Sequence, residues 1–126
     1  MPQTDLRNIL DYQTSLGPAA RTASANGTGV DLQNNDGAVC YFNVGTITDG
    51  THTPKLQDSP DNSTFTDVVA AQLQGTFANL ASNTNQEIGY VGVQRYVRAV
   101  ITVSGATTGG VYAATIVRGA GRKQPI

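Results

Sequence analysis

The chain reads as all-β, an antiparallel β-sandwich, on three observations. The first is strict alternation in 96–104, where Val97, Ala99, Ile101 and Val103 share one face and Tyr96, Arg98, Val100, Thr102 and Ser104 share the other, the period-2 signature of a strand with one buried side. The second is a second run, 111–118, reached through Gly105-Ala106-Thr107-Thr108-Gly109-Gly110, glycines of the kind a hairpin connection uses to reach positive φ. The third is composition. Thr (16) and Val (12) are abundant, Trp is absent and charged residues make up 13%, a profile that suits β-branched strands and not helices.

A chain of 126 residues fits one domain. Leu, Ile, Val and Phe number only 28, close to the level below which a packed core fails, so the core is expected to be thin. The net charge of -1 gives no electrostatic reason to expect nucleic acid or an anionic membrane as partner. No window approaches the apolar length of a membrane-spanning helix, and Met1-Pro2-Gln3-Thr4-Asp5-Leu6 lacks the basic and apolar regions of a signal peptide. Cys40 has no second cysteine to pair with, so it reads as a small buried hydrophobe within Ala38-Val39-Cys40-Tyr41-Phe42.

Taken in order, the chain divides into an N-terminal arm (1–29), a sandwich domain (30–118) and a C-terminal tail (119–126). In the arm, Leu6, Ile9 and Leu10 suit a helical turn capped by Thr4 or Asp5, while Asp11 to Ser15 breaks that pattern. Leu6, Ile9, Leu10, Tyr12 and Leu16 are the candidate partner-binding residues, because thirteen small or polar residues follow them and leave little with which to build a core layer. An arm of this kind lays its apolar side chains in a partner's groove or adds a strand to a sheet edge. The alternative is that it forms the first edge strand of its own sandwich.

Val30-Asp31-Leu32 and the strand 38–44 flank a turn ending in Asp36-Gly37, a tight-hairpin pair. Gly45 marks a bulge or kink before Thr46-Ile47-Thr48, and Pro54 puts the next strand at an edge or starts it after the proline. Asp58, Asp61, Asn62 and Asp67 are oxygen ligands, but they lack the spacing of a helix-loop-helix calcium loop, and Asx-turns around Pro60 account for them without a metal. Residues 70–80 read as a short turn of helix or an irregular crossing, interrupted by Gly75. The strand near 86–93 is expected to pack through Ile88, Tyr90 and Val93. The tail, Gly119 to Ile126, carries too few charges for a nucleic-acid interface.

The catalytic inventory is nearly empty. His52 lies beside a turn with no nucleophile context and no second imidazole, so it reads as a surface polar residue, and no glycine loop opens a helix to hold a phosphate. The expectation is a non-enzyme without cofactor or metal.

Leu56 to Val68 with its Ser59-to-Thr66 turn and strand, then Glu87-Ile88-Gly89-Tyr90, then Arg95-Tyr96-Val97-Arg98 opening the run to Gly105, and Val111 to Arg118 together resemble a group of small tailed-bacteriophage virion proteins. That group includes jelly-roll capsid decoration, or cement, proteins. The resemblance implies a jelly-roll sandwich that binds the outer surface of the virion capsid, made in the host cytoplasm, with the major capsid protein as partner. It also implies a homo-oligomer, a dimer in preference to a trimer. A head-tail connector or tail component is the alternative from the same setting. A carbohydrate-binding β-sandwich is the alternative from another class, weakened by the absence of Trp and a total of eight aromatic residues.

Overall fold

The computed structural model describes residues 10–33 and 37–119, and these form ten strands and one short 3-10 turn, Ala70–Gln72. The strands are β1 (Leu10–Arg21), β2 (Ala25–Asn26), β3 (Val30–Asp31), β4 (Gly37–Ile47), β5 (Thr51–Ser59), β6 (Thr66–Asp67), β7 (Leu73–Gln74), β8 (Asn85–Tyr90), β9 (Tyr96–Ser104) and β10 (Gly110–Gly119). One sheet has the order β1-β10-β4-β8-β7 and the other β2-β9-β5-β6, with β3 also on β9. All the pairings are antiparallel.

The pairing is nested: the first strand pairs with the last, β2 and β3 with β9, β4 with β8, and β5 with β6. A strip of paired strands rolled in this way is the double Greek key of a jelly roll. The expected antiparallel β-sandwich is therefore the observed fold. Two expected hairpins are not. β9 and β10 lie in different sheets, and so do β3 and β4, so Gly105 to Gly109 carries the chain across the sandwich and does not turn it back within a sheet. Gly105 and Gly109 do have positive φ, 69° and 81°, but the connection is held elsewhere: the Asp49 carboxylate accepts the N–H groups of Thr107, Thr108 and Gly109. The Asp36-Gly37 turn falls partly outside the described residues.

Alternation builds the core. Phe42, Ala99, Ile101, Ala114, Ile116, Val97, Leu56 and Cys40 are all buried between the sheets, and Phe42 meets the edge of Phe77 at 6.0 Å between ring centroids. Burial pushes the Cys40 thiol up to about 12, as fits a packing residue. Gly45 sits at an irregularity of register, where Gly110 pairs with Ile47 but Tyr112 with Val44, the extra residue of a bulge. Pro54 lies on the part of β5 that β6 leaves uncovered, since β6 pairs only with Gln57 and Asp58. Val93 is not a packing residue: β8 ends at Tyr90, and Val93 is exposed in the connection that follows.

Among the described residues three buried polar bridges cross between the layers. The Ser15 hydroxyl on β1 accepts the Ala99 N–H of β9 (2.9 Å) and donates to the Thr28 carbonyl (2.8 Å). Tyr90 on β8 donates to the Asp58 carboxylate on β5 (2.8 Å). His52 on β5 faces Tyr112 on β10, Nδ1 to hydroxyl 2.8 Å, with Nε2 3.0 Å from the Asp49 carbonyl. A carbonyl only accepts, so Nε2 carries a proton, and in the neutral ring Nδ1 accepts from Tyr112. His52 is thus a core residue, 1% exposed, and not the surface residue its place beside a turn suggested. Its two partners make burial affordable.

Residues 10–29, read from sequence as an arm, run as β1 and β2 inside this sandwich, with Leu16 2% exposed. The reason lies in close approach at Gly27, whose N–H donates to the Ala99 carbonyl (2.7 Å). A Cβ there would stand 2.3 Å from the Ser15 hydroxyl and 2.6 Å from that carbonyl, so only glycine lets the small, polar segment lie this tightly on β1 and β9.

Ser15→Ala leaves the buried Ala99 N–H without its acceptor. Urea denaturation is expected to show a loss of about 1–3 kcal/mol, the cost of an unsatisfied buried donor. A loss indistinguishable from that of an exposed Ser→Ala change would show that the bridge does not couple the sheets.

Candidate interaction face

Residues opposite each other in a ladder share a face, so register reveals what the first sheet shows to solvent. Tyr12 pairs with Val117, Val117 with Val39, and Val39 with Gly89, giving a row across β1, β10, β4 and β8. Beside it runs Thr14, Thr115, Tyr41 and Glu87. On the other side Leu10 stands next to Gly119, which pairs with Gly37. Tyr12 is 72% exposed, Val39 37% and Leu10 39%, and Val111 further along β10 is exposed on the same face. Across these rows Glu87 is the sole ionisable acid or base besides the two tyrosines. The surface sets Leu, Val and Tyr beside Thr, is nearly uncharged, and is built on the sandwich's most extensive ladders.

The candidate residues divide accordingly. Leu10 and Tyr12 point outward on this face, Leu16 points into the core, and Leu6 and Ile9 lie outside the described residues. Sequence reasoning missed Val39, Tyr41, Val111 and Val117. Both faces of 111–118 read as coverable, and the 38–42 run showed no alternation of polar and apolar that would mark one side as outward. The remaining large exposed apolar side chains, Val69, Val91 and Val93, lie in connections.

Charge is gathered at the end of the sandwich where β1, β3, β9 and β10 meet. Arg118 donates from Nε to Asp11 (2.9 Å) and also reaches the Asp31 carbonyl. Arg95 grips the Asp31 carboxylate with two bonds, 3.0 and 2.9 Å, and lies over Tyr96. Hydrogen bonds from Arg118 and Arg95, respectively, hold Asp11 and Asp31 below the usual carboxylate value of 3.8. Arg98 lies 4.0 Å from the centroid of Phe65 and donates twice to Oε1 of its cross-strand neighbour on β5, Gln57, at 2.9 and 2.6 Å.

The three aspartates among the candidate calcium ligands are committed separately. Asp61 closes an Asx-turn, accepting from the Ser63 and Thr64 N–H groups and the Ser59 hydroxyl. Asp58 binds Tyr90, and Asp67 binds Lys55 and Gln57. Among the described residues no group of three or more His, Cys, Asp or Glu side chains is placed to hold a metal ion.

No protein-family model matches this chain, and no curated protein matches it in sequence. Solved structures do match in shape. The SPBc2 prophage-derived protein YomS is 21% identical, with a TM-score of 0.52 over 87% of this chain and 95% of that one. A chain from Bacillus endospore appendages, described as a novel family of disulfide-linked pili, is 16% identical with a TM-score of 0.48, covering 88% and 86%. A chain from infectious bursal disease virus strain Gx is 12% identical with a TM-score of 0.47, covering 92% of this chain and 33% of its own length. The fold of this chain is therefore shared with a prophage-derived protein.

The ionisable groups set the pH range of stability. Asp11, Asp31, Asp49, Asp61 and Asp67 are all lowered from 3.8, Asp49 by backbone N–H groups of Gly109 and Thr108, Asp61 by those of Thr64 and Ser63, and Asp67 by Gln57 and Lys55. The stability they contribute is whole above 3.8 and is lost as pH falls through their lowered folded values. Burial, reinforced for Tyr90 by the Asp58 hydrogen bond, pushes Tyr90 and Tyr112 up to about 12 from 10.0. Their contribution is whole below 10.0 and is lost as pH rises toward about 12. Urea midpoints followed by circular dichroism are expected to hold between these limits and fall beyond each. A midpoint already falling well above 3.8 would contradict the assignment.

Proposed function

We propose that this chain is a structural protein of a tailed-phage virion, one that binds the outer surface of the capsid and holds neighbouring major capsid subunits together, with no catalytic role and no cofactor. The observation that carries the reading is the nearly uncharged face around Tyr12, Val117 and Val39, displayed on a jelly roll. Such a face recognises a protein surface by shape and apolar contact. The motif resemblance over Leu56 to Arg118 supports a virion setting, and so does the fold shared with a prophage-derived protein. Leu10 and Tyr12 serve as partner contacts with Leu6 and Ile9 of the preceding segment, while Leu16 belongs to the protein's own core. Each copy needs only a modest contact, because many copies bridging neighbouring subunits act together on a shell.

The test is co-sedimentation with density-gradient-purified heads and, separately, tails of the phage that encodes the chain. Val39→Lys combined with Val117→Asp, which sets opposite charges across the ladder, is expected to weaken binding to heads by roughly tenfold or more, since charge at the centre of an apolar contact is strongly unfavourable, with cooperative melting retained. Binding to tails alone, or unimpaired head binding by the double variant, would overturn the reading.

A further inference from the structure

Among the described residues nearly every sheet edge is short or obstructed. The first sheet ends on one side at β7, and the second at β2, β3 and β6, each of two residues. The flank of β5 that β6 leaves bare carries Pro54 and is covered by the chain at 79–80, where the Leu80 N–H bonds the His52 carbonyl and the Thr53 hydroxyl bonds Asn79. The C-terminal half of β1 is broken by register shifts between Thr14 and Leu16 and between Leu16 and Ala19, contains Pro18, and has its Ser15 carbonyl taken by the Thr28 N–H. These are the devices that keep an edge from pairing with another chain.

The N-terminal half of β1 has none of them. Leu10 to Thr14 runs in unbroken register with Gly119 to Thr115, lies at the end of its sheet, and contains neither proline nor lysine. Its one charge, Asp11, is neutralised by Arg118. Tyr12 stands 72% exposed in the middle.

We propose that this edge pairs with the same edge of a second copy, the two β1 strands running antiparallel about a two-fold axis so that two five-stranded sheets become one. The register follows from face and charge. Opposed residues share a face, so alternative registers differ by two residues. Centring the axis on Asp11 sets carboxylate against carboxylate, which is unfavourable. Centring it on Gln13 brings Leu10 opposite Leu16, which is past the bulge and points inward. Centring it on Tyr12 places the two tyrosines together on the outer face, Asp11 opposite Gln13 and Leu10 opposite Thr14. The pairing stands on the edge itself and holds whether or not the protein sits on a shell. If it does, the Tyr12–Val117–Val39 rows of both copies form a single doubled face.

Analytical ultracentrifugation of the full chain tests it. The wild type is expected at twice 13.2 kDa, and Tyr12→Lys, which sets two ammonium groups against each other at the axis, at the monomer mass with an unchanged melting temperature. In a second arm, Tyr12→Cys is expected to join copies through a short bis-maleimide, whereas Val111→Cys, exposed on the same face at the other end of β10, does not. Cys40 is buried and does not compete. A monomeric wild type, a dimer that survives Tyr12→Lys, or cross-linking at 111 and not at 12 would overturn the proposal. So would a monomer that dimerises only after removal of residues 1–9, since the edge would then be occupied by the chain's own N-terminal segment.

Discussion

The Ser15 hydroxyl joins the two sheets at the point where the chain has least apolar material with which to join them. Segment 17–29 offers little apolar surface beyond the Pro18 ring, the Arg21 stem and the methyl groups of Ala and Thr, so β1 and β2 are not held by hydrophobic burial alone. A serine whose oxygen both accepts from β9 and donates to Thr28 replaces that burial with hydrogen bonds shielded from water, where each is costly to break. Gly27 must be bare for the approach to happen. With β1 fixed in this way, Leu16 enters the core, Arg118 finds Asp11, and Tyr12 is turned outward.

The same economy recurs on β5. His52 and Asp58 both point inward from one strand, and each meets a tyrosine hydroxyl from the opposite sheet. A tyrosine fills as much space as a large apolar residue and still ends in a donor, so these pairs supply packing and a specific cross-layer bond at once. In a core with fully buried alanines at 99 and 114, such bonds fix how one sheet sits over the other, which apolar contact alone leaves free to slide.

Strand positions were legible because alternation is a local property: Val97, Ala99 and Ile101, like Phe42 and Cys40, declare their inner face within a few residues. Partners were not. Period-2 patterning says which side of a strand is buried but not which sheet it joins, and a glycine-rich connector looks the same whether it returns within a sheet or crosses to the other. That is why 105–109 read as a hairpin. His52 was illegible for a related reason. Its burial depends on Tyr112, far along the chain, and on a backbone carbonyl that has no sequence signature. The candidate face was half legible, since Tyr12 and Leu10 stood out as apolar residues in a poor context, whereas Val39 and Val117 became outward residues only once register was known.

Nested pairing also dictates the order in which this fold can be assembled. During synthesis β1 leaves the ribosome ahead of β2 to β9, yet its ladder partner β10 follows all of them, and β2 and β3 wait in turn for β9. These outer pairs cannot close before the strands between them exist, whereas β5 and β6, neighbours in sequence, can meet early. Contacts of such long sequence separation form slowly, because the loop must be closed before any bond repays it. Until then the unguarded stretch of β1 has no ladder of its own. The strand best suited to join another copy is thus also the one that must remain single longest on the way to the native state.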